Sequence, residues 1–235
     1  MTMIYLLVNR CRFCYTVPGD HMRMRKKKNF DKRWAAAAPT YQVTDPASRR
    51  GSWQGACGAL RVELGCGKGL YLSRQAALSP GTLHIGVERQ QSVALQAMEL
   101  SAREKLTNAA FILGDADNLS EWFAGGEIDR LDLLFCDPWP ENRRVKRRLT
   151  HRDYLAVYAK LLKPGGLLCF RTDNAALFDF SLKELDATGW AVVSLTRDLH
   201  AGGGEPGESM TGFEEKFTAQ GLPIYQVKCR ATAIH

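Results

Sequence analysis

The chain has 235 residues and a mass of 26.2 kDa, with 45% hydrophobic and 24% charged residues and a mean hydropathy of -0.25. That size suits one α/β domain with a buried core, and that balance excludes a disordered or fibrous chain. The longest apolar run, Met3 to Val8, is too short to cross a bilayer. The net charge of +7 is concentrated: Met22 to Trp34 carries +6, Glu141 to Asp153 carries +4, residues 1–21 add +1, and the rest of the chain is acidic at -4. A mildly acidic body with two dense basic segments predicts a polyanion-binding protein. Seven cysteines form an odd set without a framework spacing, which predicts a reduced cytoplasmic compartment. The single Cys-x-x-C pair, Cys11 and Cys14, has no second pair or histidine cluster near it, and no metal site is expected.

In chain order, the first 21 residues lack a full secretory apolar core and a small-residue cleavage site. Met22 follows as a second initiator, so the expectation is an upstream extension before a protein that begins at Met22. Residues 22–58 read as a basic arm and linker that includes the Ala35–Ala38 run. From 59 to 235 the pattern is that of a single domain in which short apolar runs alternate with helix-length amphipathic segments. Strands are predicted at Ala59–Leu64, Thr82–Val87, Ala109–Leu113, Leu131–Cys136, Gly166–Arg171, Ala191–Thr196 and Ile224–Arg230. Helices are predicted at Lys68–Leu78, Gln91–Leu106, Arg152–Leu162 and Ala175–Ala187, and the Gly-rich Ala201–Ser209 reads as a loop. The expected fold is α/β and Rossmann-like: a mostly parallel seven-stranded sheet with helices on both faces. Ligands of such sheets sit beyond the carboxyl ends of the strands.

Four of those ends carry acids, Glu63, Glu88, Asp115 and Asp137. After the first strand, VELGCGKG places Gly65, Gly67 and Gly69 where the backbone can turn sharply and approach a ligand. A dinucleotide fingerprint fails because its third glycine position holds Leu70, and the Walker spacing is absent. The remaining pattern, acid-x-G-x-G-x-G, resembles the first motif of class I S-adenosylmethionine-dependent methyltransferases. Glu88 is placed to accept both hydroxyls of a ribose, and Asp115 to face an adenine amino group. Asp115 reads equally well as a helix cap.

The fourth strand runs into DPWPENRRVKRRLT. Pro138 and Pro140 stiffen the loop, and Trp139 offers a flat face for a base. Asp-Pro-aromatic here is similar to the site of many nitrogen-methylating nucleic-acid enzymes, and the full segment resembles the tRNA (guanine-N7)-methyltransferase family. LLKPGGLLCFRTDN, MTGFEEKF and the MRMRKKKN that starts at Met22 resemble further blocks of that family in the same order, covering Met22 to Arg230.

The resemblance implies S-adenosyl-L-methionine as cofactor, a variable-loop guanine of tRNA as substrate, and a monomer or homodimer without metal or membrane. It implies that Glu63, Gly65, Gly67, Gly69, Glu88, Asp115 and Asp137 form the cofactor site, with Asp137 also at the reaction centre. It places Glu141, Asp173, Thr211, Gly212, Phe213 and Glu214 on the guanosine, and Arg143, Arg144, Val145, Lys146, Arg147 and Arg148 along the tRNA backbone. Thr211 to Glu214 is also a capping-box signature, and both roles can hold at once. Asp173 reads equally as a loop acid. The chain departs from the family at Glu141, where Lys is usual, and at Arg144, where His is usual, which leaves Arg143 as the substitute for the lysine. The competing readings are a methyltransferase for another nucleic-acid nitrogen and a non-catalytic RNA-binding relative.

Overall fold

A computed structural model describes residues 28–204 and 207–231. The Met22 start, Cys11, Cys14 and the basic residues before Lys28 lie outside the described residues.

The predicted strands appear as β2 (Ala59–Leu64), β3 (Thr82–Glu88), β4 (Ala109–Leu113), β5 (Ile128–Leu134), β6 (Leu162–Thr172), β7 (Trp190–Thr196) and β8 (Tyr225–Ala231). The sheet has eight strands rather than seven, because Gln42–Val43 forms a short β1 that pairs in parallel with Phe111–Ile112. Two residues are too few for an alternation to register in sequence. The order is β1-β4-β3-β2-β5-β6-β8-β7, parallel throughout except for β8, which runs antiparallel to both its neighbours. β5 begins three residues earlier than predicted and stops at Leu134, since Phe135 takes a left-handed φ of 54° that ends the extended chain.

The four predicted helices appear as α2 (Leu70–Leu78), α3 (Gln91–Arg103), α5 (Arg152–Leu161) and α6 (Ala175–Ala187). Two further helices are short, α4 (Leu119–Trp122) and α7 (Gly212–Thr218). Helix α2 starts later than expected because Gly69, at φ 72°, is its N-cap. Helix α3 ends early at a left-handed Lys105, beyond which the Leu106 amide returns to the Ser101 carbonyl.

The Ala35–Ala38 run, expected in a loop, lies inside α1 (Phe30–Tyr41). A run of alanines has high helix propensity but no polar-apolar contrast, so what anchors this helix is its two ends. Phe30 and Tyr41 are buried against Leu95, Met98 and Phe111, and the Tyr41 hydroxyl donates to the carbonyls of Ser101 and Leu106 at 3.1 and 3.0 Å. Arg33 adds a two-point ion pair with Glu99 on α3.

The two faces of the sheet differ in kind. On one, Val62, Ile85, Leu131, Leu133 and Phe170 join the main core beneath α4, α5 and α6. The alternate positions point the other way and are charged or polar: Arg61, Glu63, His84, Asp132, Arg171, Gln226 and Lys228 are all buried. Helix α2 covers them with Tyr71 and Gln75, which receive Arg61. Asp132 is fully buried between Arg61 and Arg130, whose charges hold its carboxyl well below the ordinary aspartate range despite burial. Such a network is stable only when every member is satisfied.

Candidate functional site

The loop after β2 is stitched to the end of β3, with the Gly65 and Cys66 amides both donating to the Val87 carbonyl at 2.9 and 3.1 Å. Gly65 takes a φ of 72°, and a Cβ built there would meet nothing within 4 Å. That glycine therefore leaves open space above the strand ends. Gly69 serves a different purpose: a Cβ there would lie 2.7 Å from the Ala97 Cβ on α3, so its bare backbone lets α2 and α3 close together.

The four acids line up on adjacent strands in the sheet order β4-β3-β2-β5. Asp115 follows β4, Glu88 ends β3, Glu63 lies at the end of β2, and Asp137 is three residues beyond β5. Glu88 accepts from the Gly67 amide at 3.1 Å and the Gln90 amide at 2.8 Å, which fixes the carboxylate beside the glycine loop. Asp115 is held at 3.4 Å from Arg89. Glu63 is the unusual member. It is 6% exposed, and its Oε2 atom is buried without a hydrogen-bond partner. Burial first, and then the charge of Asp132 on the neighbouring strand, push its carboxyl well above the ordinary glutamate range. A buried acid with an unused oxygen two residues before Gly65 keeps acceptor capacity for a hydrogen-bond donor.

The loop after β5 is strained and buttressed. Phe135 and Trp139 both occupy left-handed φ, at 54° and 39°, an arrangement that surrounding contacts must sustain. At Trp139 Arg148 supplies them: its Nε donates to the Pro138 carbonyl at 3.0 Å and its Nη2 to the Trp139 carbonyl at 3.1 Å, while its guanidinium lies 4.4 Å from the Phe180 ring centroid. Arg144 and Arg147 lie over the Trp139 ring at 5.6 and 5.2 Å. Asp137, the residue this loop presents, is exposed. The adjoining Cys136 thiol is pushed up to about 12 by burial and by Asp137, so it is not a competing thiolate.

Of the six residues expected along an RNA backbone, Arg143, Lys146 and Arg147 are exposed, Arg144 and Val145 are half-buried, and Arg148 is engaged in holding the loop. Glu141 accepts from Arg143 Nε at 2.8 Å and lies 3.4 Å from Arg144, so its negative charge is answered within the same turn. Asp173 is exposed immediately after β6, with partial desolvation still raising its carboxyl above the ordinary aspartate range.

Thr211 and Glu214 form a reciprocal capping box at the start of α7. Glu214 is fully buried, pairs with Arg171 at 3.2 Å and lies 3.4 Å from His200. The two residues between them face outward, with Phe213 49% exposed. The fold brings this pair to the strand ends: Phe213 stacks on Phe135 at 5.6 Å, and a Cβ on Gly212 would lie 3.4 Å from Leu70, the first residue after the glycine loop. The sequence reading missed Glu208 and its partners Arg61, Arg130 and Arg171, whose signal was the alternation of charge with apolar residues along β2, β5 and β6.

The described residues contain no group of three or more His, Cys, Asp or Glu able to hold a metal ion, and no helix among them is long and apolar enough to cross a membrane.

Comparison with known proteins identifies relatives of this chain. The family model Methyltransf_4, described as "Putative methyltransferase", matches residues 58–227. The tRNA (guanine-N(7)-)-methyltransferase of Geobacillus kaustophilus is 39% identical over 213 residues, covering 89% of this chain and 96% of that protein. The protein of the same name from Lachnoclostridium phytofermentans is 37% identical over 207 residues, covering 87% and 97%. Among solved structures, the 16S rRNA (adenine(1408)-N(1))-methyltransferase from Catenulisporales acidiphilia shares the fold with a TM-score of 0.55 at 16% identity, covering 82% of this chain and 96% of that one. A family model that matches most of the chain and relatives that match over nearly their full lengths show that the chain belongs to the tRNA (guanine-N(7)-)-methyltransferase family.

Proposed function

We propose that this protein transfers a methyl group from S-adenosylmethionine to N7 of a variable-loop guanine in tRNA, in the cytoplasm. The observation that carries the reading is the meeting of three segments at the strand ends: the open glycine loop with Glu63 and Glu88, the DPWP loop with Asp137, and the outward pair Gly212–Phe213.

The residues present fit the cofactor. The open space above Gly65 and the unpartnered Glu63 oxygen make a cradle with unused acceptor capacity, and Glu88 and Asp115 stand at the next two strand ends. When bound, S-adenosylmethionine supplies an electrophilic methyl on a positively charged sulfonium. Guanine N7 carries a lone pair outside Watson–Crick pairing, so no side chain has to remove a proton first. The work left to the chain is orientation and charge. Asp137, held by the loop that Arg148 braces, stabilises the positive charge that the guanine acquires or receives a hydrogen bond from its edge. It is not a general base. Phe213 and Gly212 form the wall on the guanosine side, because the Thr211 and Glu214 side chains are engaged inside the capping box. Asp173 closes the same side at the end of β6. The exposed cations Arg143, Lys146 and Arg147 take the phosphates, which gives affinity through counterion release more than sequence reading.

The test is incubation of the protein with labelled S-adenosylmethionine and unmodified tRNA, followed by mapping of the methylated base. Label on N7 of the variable-loop guanine is the expected result; label on an exocyclic amine, or cofactor binding without transfer, overturns it. Asp137→Asn is expected to lower turnover by about a hundredfold or more while tRNA binding is kept. Equal losses in both remove Asp137 from the reaction centre.

A further inference from the structure

Residues 207–211, which lead into α7, lie against the charged face of the sheet, and Glu208 ties them there. The Glu208 carboxylate accepts from Arg61 on β2 at 3.1 Å, from Arg130 on β5 and from the Tyr71 hydroxyl on α2, and it lies 3.6 Å from Arg171 on β6. Its side chain is 10% exposed. These three arginines sit on the strands that lead to Glu63, Asp137 and Asp173. The next residues are tied to α2: Gln75 donates to the Ser209 hydroxyl at 3.0 Å, and Arg74 donates to the Met210 carbonyl at 2.9 Å. Thr211 then starts α7, and Glu214 grips Arg171 from the other side.

We propose that Glu208 is a positioning residue for methyl transfer: its carboxylate clamps residues 207–211 to strands β2, β5 and β6 and so sets the place of Gly212–Phe213 relative to Asp137. The inference rests on the reading of Thr211–Glu214 as the guanosine-side segment. Three residues separate Glu208 from Gly212: Ser209 and Met210 are tied to Gln75 and Arg74, and Thr211 is locked in the capping box, so a displacement at Glu208 is passed to the Phe213 ring. Glu208 is assigned no contact with substrate or cofactor and acts through this segment. With the carboxylate removed, Arg61 and Arg130 still share Asp132, so the sheet face keeps its own ion pairs and the segment loses its tie to the strands while Ser209 and Met210 stay tied to α2.

The experiment compares the full chain with Glu208→Gln, Glu208→Asp, Arg74→Ala and Phe213→Ala, assayed well below the melting temperature of each. The readouts are S-adenosylmethionine affinity without tRNA, and kcat and KM for tRNA. Glu208→Gln is expected to lower kcat/KM for tRNA by about tenfold or more, as ångström-scale misplacement does, with cofactor affinity changed by less than about threefold. Glu208→Asp is expected to recover part of that loss. Arg74→Ala, which removes the Met210 and Glu215 contacts at a half-exposed site, is expected to show a smaller loss of the same kind and serves as the test if Glu208→Gln fails to fold. A lowered melting temperature with unchanged kcat/KM for tRNA overturns the proposal, as does an equal loss of cofactor affinity. If Phe213→Ala impairs tRNA kinetics and the Glu208 and Arg74 variants do not, the clamp is wrong and the guanosine-side reading stands. If Phe213→Ala itself changes nothing, that underlying reading fails.

Discussion

Two glycines of the same loop, four residues apart, are predicted to fail in different ways when replaced by alanine. Gly65 and Gly69 share a φ of 72°, so the left-handed backbone cost of an alanine is common to both. What differs is the space. The new methyl at position 65 meets nothing within 4 Å, whereas at position 69 it lies 2.7 Å from the Ala97 Cβ and 3.1 Å from the Ala97 Cα. Ala97 is fully buried on α3, and a backbone atom cannot rotate away, so relief requires α2 and α3 to separate. Overpacking of this kind costs about 1–3 kcal/mol. For a chain of this size each kcal/mol lowers Tm by about 2–4 °C, so Gly69→Ala is expected to melt about 2–12 °C below Gly65→Ala. Cofactor binding should run the other way, since the methyl at position 65 occupies the open cradle. Differential scanning fluorimetry and isothermal titration with S-adenosylmethionine measure both. Equal melting temperatures refute the packing argument, and normal cofactor affinity in Gly65→Ala refutes the cradle.

Arg143→Glu with Lys146→Glu is expected to weaken tRNA binding, reduce the log-log salt slope by about 2, and leave cofactor affinity unchanged; filter binding across a salt series checks it. Arg148→Ala is expected to lower kcat more than tRNA affinity, because its guanidinium holds the Pro138 and Trp139 carbonyls; steady-state kinetics separates the two. Glu63→Gln is expected to weaken cofactor binding yet raise the melting temperature of the ligand-free protein at pH 8. The raised carboxyl pKa disfavours the folded state as pH climbs above the ordinary glutamate value, so the gain should vanish near pH 4. Glu208 has the opposite sign. Its pKa is held down to about 2, chiefly by Arg130 and Arg61 acting against burial, from an ordinary value of 4.5. The carboxylate therefore contributes about 3 kcal/mol above pH 4.5, and that contribution is lost as pH falls toward 2. Urea unfolding of the protein and of Glu208→Gln at pH 6 and pH 3 should show the stability gap narrowing on acidification.

Much of this site is contiguous in the chain and so was readable from it. VELGCGKG and DPWPENRRVKRRLT each place their chemistry within a few residues of a strand end, and a parallel sheet necessarily gathers those ends along one edge. Helices α2, α3, α5 and α6 were legible because each alternates buried and exposed faces over two or more turns. Helix α1 was not, since four alanines and Pro39 show no such contrast and the helix is anchored by Phe30 and Tyr41 against α3. The two-residue β1 depends entirely on its neighbour β4.

The residue types at the crevice, their order and the family they mark follow from the sequence by itself. Which cations face solvent does not: Arg143 and Arg148 look alike in the chain, and only packing leaves one exposed and turns the other into a brace. The same holds for Glu208 and Arg61, which stand 147 positions apart and meet across the charged face of the sheet. Local hydrogen bonding and periodicity act between near neighbours and leave a pattern in the chain. Desolvation and ion pairing act between distant residues, and their outcome exists only once the fold has removed those groups from water.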